Sequence, residues 1–197
     1  MNKLLAINTF LVCCILFFCC KKEDVSPSVP LPEYVPVHSP CDTSTGIATA
    51  NKLTAAWKAG VVCRRTSASG GNFWAIELTT CSSNDGSTRE KVYFGGIPDA
   101  NPAQLYQIHK TQNSIPTGSV ISGYSTFASD GDVLEDFYYT DSLSTKNYLK
   151  IEEWDNVNKR VSGSFHVSFG IKEPRRNIQS PKKVTFSSGK FWVKLPE

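Results

Sequence analysis

The chain is predicted to fold as an all-β domain, a single antiparallel β-sandwich or barrel, and three features carry that prediction. Short runs rich in Val, Tyr, Phe and Thr recur from residue 47 to residue 197. They alternate apolar and polar positions, the period of a half-buried strand. Between them lie Gly, Asp, Asn and Ser clusters of the kind that turn one strand back on the next. A domain of this length can enclose one hydrophobic core.

The strands follow in order. Residues 51–59 read as one strand, because Leu53, Ala55 and Trp57 alternate. Val61-Val62-Cys63 and the run Phe73 to Leu78 flank Ser69-Gly70-Gly71-Asn72, a hairpin signal. Lys91 to Phe94 follows a turn at Asn84-Asp85-Gly86, and Leu105 to His109 alternates. Tyr124 to Ala128 meets Val133 to Tyr139 across Ser129-Asp130-Gly131-Asp132. Tyr148 to Glu152 leads through the polar loop Asp155 to Lys159 into Val161 to Phe169. There Val161, Gly163, Phe165, Val167 and Phe169 share one face, and Ser162, Ser164, His166 and Ser168 share the other. A last pair, Val184-Thr185-Phe186 and Phe191-Trp192-Val193, is expected to turn at Ser187-Ser188-Gly189.

Ahead of this domain the chain reads differently. Lys3 begins a short apolar run, Leu4 to Phe18, broken by Asn8 and Thr9. A charged start followed by a short apolar core reads as a secretion signal rather than a membrane span. Proline then recurs at 27, 30, 32, 36 and 40, which favours an extended polyproline spacer. The expected organisation is a signal peptide at 1–19, a proline-rich tether without regular structure at 20–46, and a β domain at 47–197.

The join between leader and tether, Cys19-Cys20-Lys21-Lys22-Glu23-Asp24, resembles the lipobox of bacterial lipoproteins, in which a cysteine is acylated after cleavage just before it. Cys20 is the expected lipidation site, because Cys19 is a small residue before the cut and Phe18 is a bulky one. The residues after Cys20 resemble the surface-export signal of Bacteroidetes-type lipoproteins, with Lys22, Glu23 and Asp24 in its charged positions. The domain in turn resembles single all-β domains of such lipoproteins that have no established activity. The matching residues are Thr54 to Ala59, Leu149-Lys150-Ile151, Val161 to Phe165 and Ser188 to Val193. The resemblance implies an outer-membrane lipoprotein of the cell envelope facing outward, with a periplasm-facing anchor as the alternative. It carries no catalytic residues.

Charge excludes a nucleic-acid role: 21 basic residues less the leader lysine, against 18 acidic, leave the mature chain at +2. Beyond Cys20 the mature chain holds Cys41, Cys63 and Cys81, an odd number in an oxidising compartment. Cys63–Cys81 is the preferred pair, and closing that loop would contribute about 3 kcal/mol. A hairpin about Ser69-Gly70 would set Cys63 opposite a residue near 75, so Cys41 competes as a partner for either, as does a set of three free thiols. Asp130, Asp132, Glu135 and Asp136 cluster carboxylates near one turn, a candidate cation site. Asp141-Ser142-Leu143 matches a short O-glycosylation pattern of Bacteroidetes envelope proteins at Ser142. His38, His109 and His166 lack zinc-ligand spacing. Trp154, in a charged run, is the tryptophan expected to be most exposed. No cofactor is expected. The expected partners are the membrane, through the lipid, and a protein or glycan ligand. A hydrolase built from scattered carboxylates and a barrel holding a small apolar ligand are the alternatives.

Overall fold

The computed structural model describes residues 38–68, 71–109 and 119–197. Among them are eleven strands: β1 Ser39–Pro40, β2 Gly46–Lys52, β3 Ala55–Ala68, β4 Gly71–Cys81, β5 Thr88–Pro98, β6 Leu105–His109, β7 Ser119–Phe127, β8 Leu134–Thr140, β9 Tyr148–Asp155, β10 Arg160–Ile171 and β11 Lys183–Lys194. All ladders are antiparallel except that between β6 and β7. The sheet closes on itself through nine strands, β4-β3-β2-β11-β10-β9-β6-β7-β5 and back to β4. β8 spans the same gap between β7 and β10 toward one end of the barrel. The fold is therefore all-β, as the strand pattern predicts, and of the sandwich and the barrel it is the barrel, whose closure removes long open edges.

Alternation decides what fills it. On β10, Val161, Gly163, Phe165, Val167 and Phe169 are all buried, as their spacing requires. Phe94, Phe165, Phe169, Phe186, Tyr106, Tyr124 and Tyr138 are the bulkiest wholly buried side chains. They pack ring on ring: Phe94 lies 5.4 Å from Phe165, and Tyr124 lies 4.9 Å from Tyr138 and 5.4 Å from Phe186. Among the described residues these rings and the aliphatic side chains around them form one packed core.

Four departures from the sequence reading have local causes. Residues 51–59 are two strands, not one. The chain reverses at Leu53-Thr54, with Leu53 at φ 55°, a left-handed conformation unusual for a γ-branched residue. Ser187-Ser188-Gly189 is no hairpin turn but a bulge inside the continuous strand β11, with Ser188 at φ 53°. Gly189 fits there because a Cβ would stand 2.5 Å from the Phe165 ring. The folded unit starts before residue 47: β1 pairs with the end of β4, Ser39 opposite Cys81. Finally, the disulfide is Cys41–Cys81, with Cα atoms 5.0 Å apart, and not Cys63–Cys81. Cys63 sits opposite Ile76 across the β3–β4 hairpin and points into the core, five residues short of Cys81.

Candidate functional site

Two clusters of side chains that satisfy one another lie toward opposite ends of the strands β4 and β5. At one end Glu90, from the charged string Thr88-Arg89-Glu90-Lys91, turns inward on β5 and is 2% exposed. Its carboxylate accepts from Trp57 Nε1 (2.9 Å), Tyr124 Oη (2.7 Å) and Thr80 Oγ1 (3.2 Å), and pairs with Lys52 Nζ. Burial alone would raise its pKa; the Lys52 ammonium and the Tyr124 and Trp57 donors outweigh that and hold it below the ordinary value. Burial and the adjacent Glu90 charge drive the Tyr124 phenol well up, so it stays a donor. His38 faces the same cluster, its pKa lowered by burial against the opposing pull of Glu90.

At the other end Trp74 and Trp154 meet edge to face, 5.3 Å apart, and Trp74 Nε1 donates to Asp99 (2.7 Å), which also pairs with Arg65. Trp154 was expected outside. A bulge at Glu152, between the pairs Ile151–Gly163 and Glu153–Ser162, shifts the parity of β9 and turns the ring inward against the core.

Among the described residues the interior is packed with side chains, and two depressions lie on the polar outer face. Across β9, β10, β11 and β2 a depression of about 260 Å³ is lined by Thr49, Glu152, Arg160, Ser162, Lys190 and Trp192. A second of about 360 Å³ adjoins it at Thr49 and runs past Asn51, Lys58 and Ser188. Trp192 shares the outward parity of β11 with Lys190 and Lys194, while Phe191 and Val193 point in. The other three tryptophans each donate their indole N–H, to Glu90, Asp99 and Asn156. Trp192 Nε1 has no acceptor among the described residues. Its ring contact is with the Arg160 guanidinium, 5.6 Å from the ring centroid.

One cross-strand row of this face runs Lys150, Ser164, Lys190, Thr49, Lys58 from β9 to β3. Cation and hydroxyl alternate along it, and neighbouring strands stand about 4.8 Å apart. Lys58, Arg160, Lys190 and Lys194 are exposed, and none has a carboxylate within ion-pair distance among the described residues. The nearby acids are engaged: Glu152 accepts from Ser164 Oγ (3.0 Å) and faces Lys150 Nζ (3.7 Å), and Glu153 accepts from Ser162 Oγ (3.1 Å).

The residues singled out from sequence fall as follows. Cys20, Lys22, Glu23 and Asp24 lie outside the described residues. Asp130, Asp132, Glu135 and Asp136 do not converge on a cation site. Asp130 accepts from the backbone of Asp132 and Val133 (3.2 Å each), closing its own turn. Asp136 is buried and accepts from the Arg176 and Asn177 backbone (2.8 and 3.4 Å), while Glu135 accepts from Asn177 Nδ2 (3.1 Å). No group of three or more His, Cys, Asp or Glu side chains placed to hold a metal occurs among the described residues. Ser142 is exposed on a turn whose Leu143 is 90% exposed and whose Asp141 pairs with Lys183 Nζ (2.7 Å). His166 lies on the outer face stacked on Tyr148 (6.4 Å). Sequence reasoning missed Glu90 and Arg160. The parity of Lys190, Trp192 and Lys194 on β11 is what sets Trp192, alone of the four tryptophans, on the outer face without an indole acceptor among the described residues.

Fold and site together define a closed, core-filled β-barrel with an electropositive outer groove around one tryptophan. Comparison with protein families, with curated proteins and with solved structures finds no match to the chain.

Proposed function

We propose that this chain is a lipid-anchored protein of the bacterial cell envelope, displayed at the cell surface through Cys20, whose barrel is a binding module that meets its partner with its outer face. The observation that carries the outer-face reading is the filled interior. Among the described residues the interior is occupied by packed rings, and the one tryptophan with an uncommitted donor points out. A hydrolytic reading has less support. The two buried carboxylates, Glu90 and Asp136, are each taken up by donors of the protein itself rather than presented in a cleft. Exposure to an oxidising compartment is supported by the Cys41–Cys81 bridge. Display rests on the charged pattern that follows Cys20, and a half-buried, outward-facing tryptophan in a polar groove is a surface such a protein would offer.

The test is two-part. In cells fed an alkyne-tagged fatty acid, the native chain is expected to take up label and Cys20→Ser to lose it; labelling of Cys20→Ser at the native level sinks the anchor. On intact cells, added protease is expected to shave the native domain and to spare Lys22→Ala/Glu23→Ala/Asp24→Ala. Protection of the native chain behind an intact outer membrane would turn the reading to the periplasmic face.

A further inference from the structure

The outer groove carries a statement about ligand class, and it rests on the reading of the barrel as an outer-face binding module. We infer that the groove around Trp192 binds an anionic polysaccharide, the indole taking the face of a sugar ring and Arg160 with the lysine row taking its acidic groups.

Charge is the first argument. Lys58, Lys150, Arg160, Lys190 and Lys194 set against Glu152, Glu153 and Asp155 give this face +2, the whole net charge of the mature chain. The rest of the mature chain is therefore close to neutral, and the cations are concentrated here. The four uncommitted cations cost the protein self-repulsion that an anionic ligand would relieve. Arg160 is held against the indole, which orients its guanidinium while leaving its N–H donors without protein acceptors among the described residues. A guanidinium so fixed suits bidentate capture of a carboxylate or sulfate.

Shape is the second. A pyranose ring presents a flat patch of C–H groups edged by hydroxyls. Trp192 supplies a flat partner with a free N–H beside it, and Thr49 and the Glu152 carboxylate line the same depression for hydroxyls. The row Lys150, Ser164, Lys190, Thr49, Lys58 puts a cation on every second strand, about 10 Å apart. That spacing suits a linear polymer whose charges recur at intervals better than a compact ligand.

The experiment titrates the full chain, in neutral detergent, with polygalacturonate, chondroitin sulfate, fully methyl-esterified polygalacturonate and polyglutamate, read by tryptophan fluorescence and calorimetry. Binding of one or both acidic polysaccharides is expected, weakening as salt rises. Polygalacturonate alone would assign carboxylates as the recognised group, and chondroitin sulfate alone would assign sulfates. Trp192→Ala should weaken binding at least tenfold and Arg160→Lys several-fold, with unchanged thermal midpoints. Lys58→Ala/Lys190→Ala tests the row should Trp192→Ala fold poorly. Equal binding of the methyl ester overturns the anionic class while leaving an outer-face sugar site. Equal binding of polyglutamate, full binding by Trp192→Ala, or no binding of either acidic polymer overturns the inference. A displayed chain that binds none of the polymers sinks this inference alone; a chain that binds through Trp192 but takes up no fatty acid sinks the anchor alone.

Discussion

Glu90 reads in sequence as one more solvated charge, yet it is buried and fully engaged by its neighbours. Four side chains from four other strands, Lys52, Trp57, Thr80 and Tyr124, converge on its two oxygens. Removing one partner of a buried pair typically costs about 3–5 kcal/mol, because the other is left uncompensated. Lys52 keeps 18% of its side chain in contact with solvent, so Glu90→Gln is expected near the low end, about 3 kcal/mol, in urea unfolding at pH 7. The pH dependence has a definite sign. The folded-state pKa of Glu90 lies below its ordinary 4.5, so its contribution is fully present above that value and is lost as pH falls through the folded value. The stability gap between the native chain and Glu90→Gln should therefore be constant near neutrality and begin to close below pH 4.5. A gap that holds unchanged down to pH 3 would mean that the fold does not lower the Glu90 pKa. Cys63 shows the opposite case: burial pushes its thiol up to about 12, so the one free cysteine of the described domain is an inert core residue.

At the scale of elements, the short strand β1 and its disulfide fasten the entry of the chain to the barrel. β1 takes up the side of β4 at Thr80 and Cys81, beyond the last β3 pairing at Gly60–Thr79. The chain then crosses so close to Gly60 that a Cβ there would stand 2.4 Å from the Asp42 carbonyl oxygen. Cys41 and Cys81 are 40 positions apart, and closing a loop of that size contributes about 4 kcal/mol by chain entropy. Cys41→Ser/Cys81→Ser is expected to lose up to that amount in urea unfolding. It should also make the segment around Ser39 to Thr43 a new site of limited proteolysis while the barrel core stays resistant. Unchanged proteolysis would show that β1 holds without the bridge. The same elements show what sequence can and cannot reveal. Turns built on Asp-Gly, at Asp85-Gly86 and Asp130-Gly131, were legible because glycine supplies the positive φ, 72° and 77°, that they require. The β10 face was legible because its alternation is unbroken from Val161 to Phe169. The turn at Leu53-Thr54 was not, since neither residue is a turn former. Bulges misled in both directions: Ser188 imitates a turn inside a strand, and the one at Glu152 reverses the parity that would have placed Trp154 outside. Glu90 was hidden for a different reason, since its burial depends on donors from β2, β3, β4 and β7 that only the closed sheet brings together.

For the whole molecule, the question is whether the barrel holds something or is held together by what fills it. Phe165 answers for the middle of the core. It is wholly buried, 5.4 Å from the Phe94 ring, and packs so closely on β11 that only a glycine fits at 189. A lumen evolved for an apolar ligand would leave such a ring in contact with the ligand; here it is in contact with the protein. Truncating a core phenylalanine costs about 3–5 kcal/mol, partly from lost transfer energy and partly from the cavity left behind. A dry apolar cavity of that kind accepts small aromatic molecules, and a ligand that binds only the folded state raises its stability. Phe165→Ala is therefore expected to unfold at a lower temperature than the native chain and to recover part of the loss when saturated with benzene. The native chain should show no shift with benzene. Should it be stabilised as strongly as the variant, the barrel already contains a usable cavity, and the case for recognition through the outer face would lose the filled interior on which it stands.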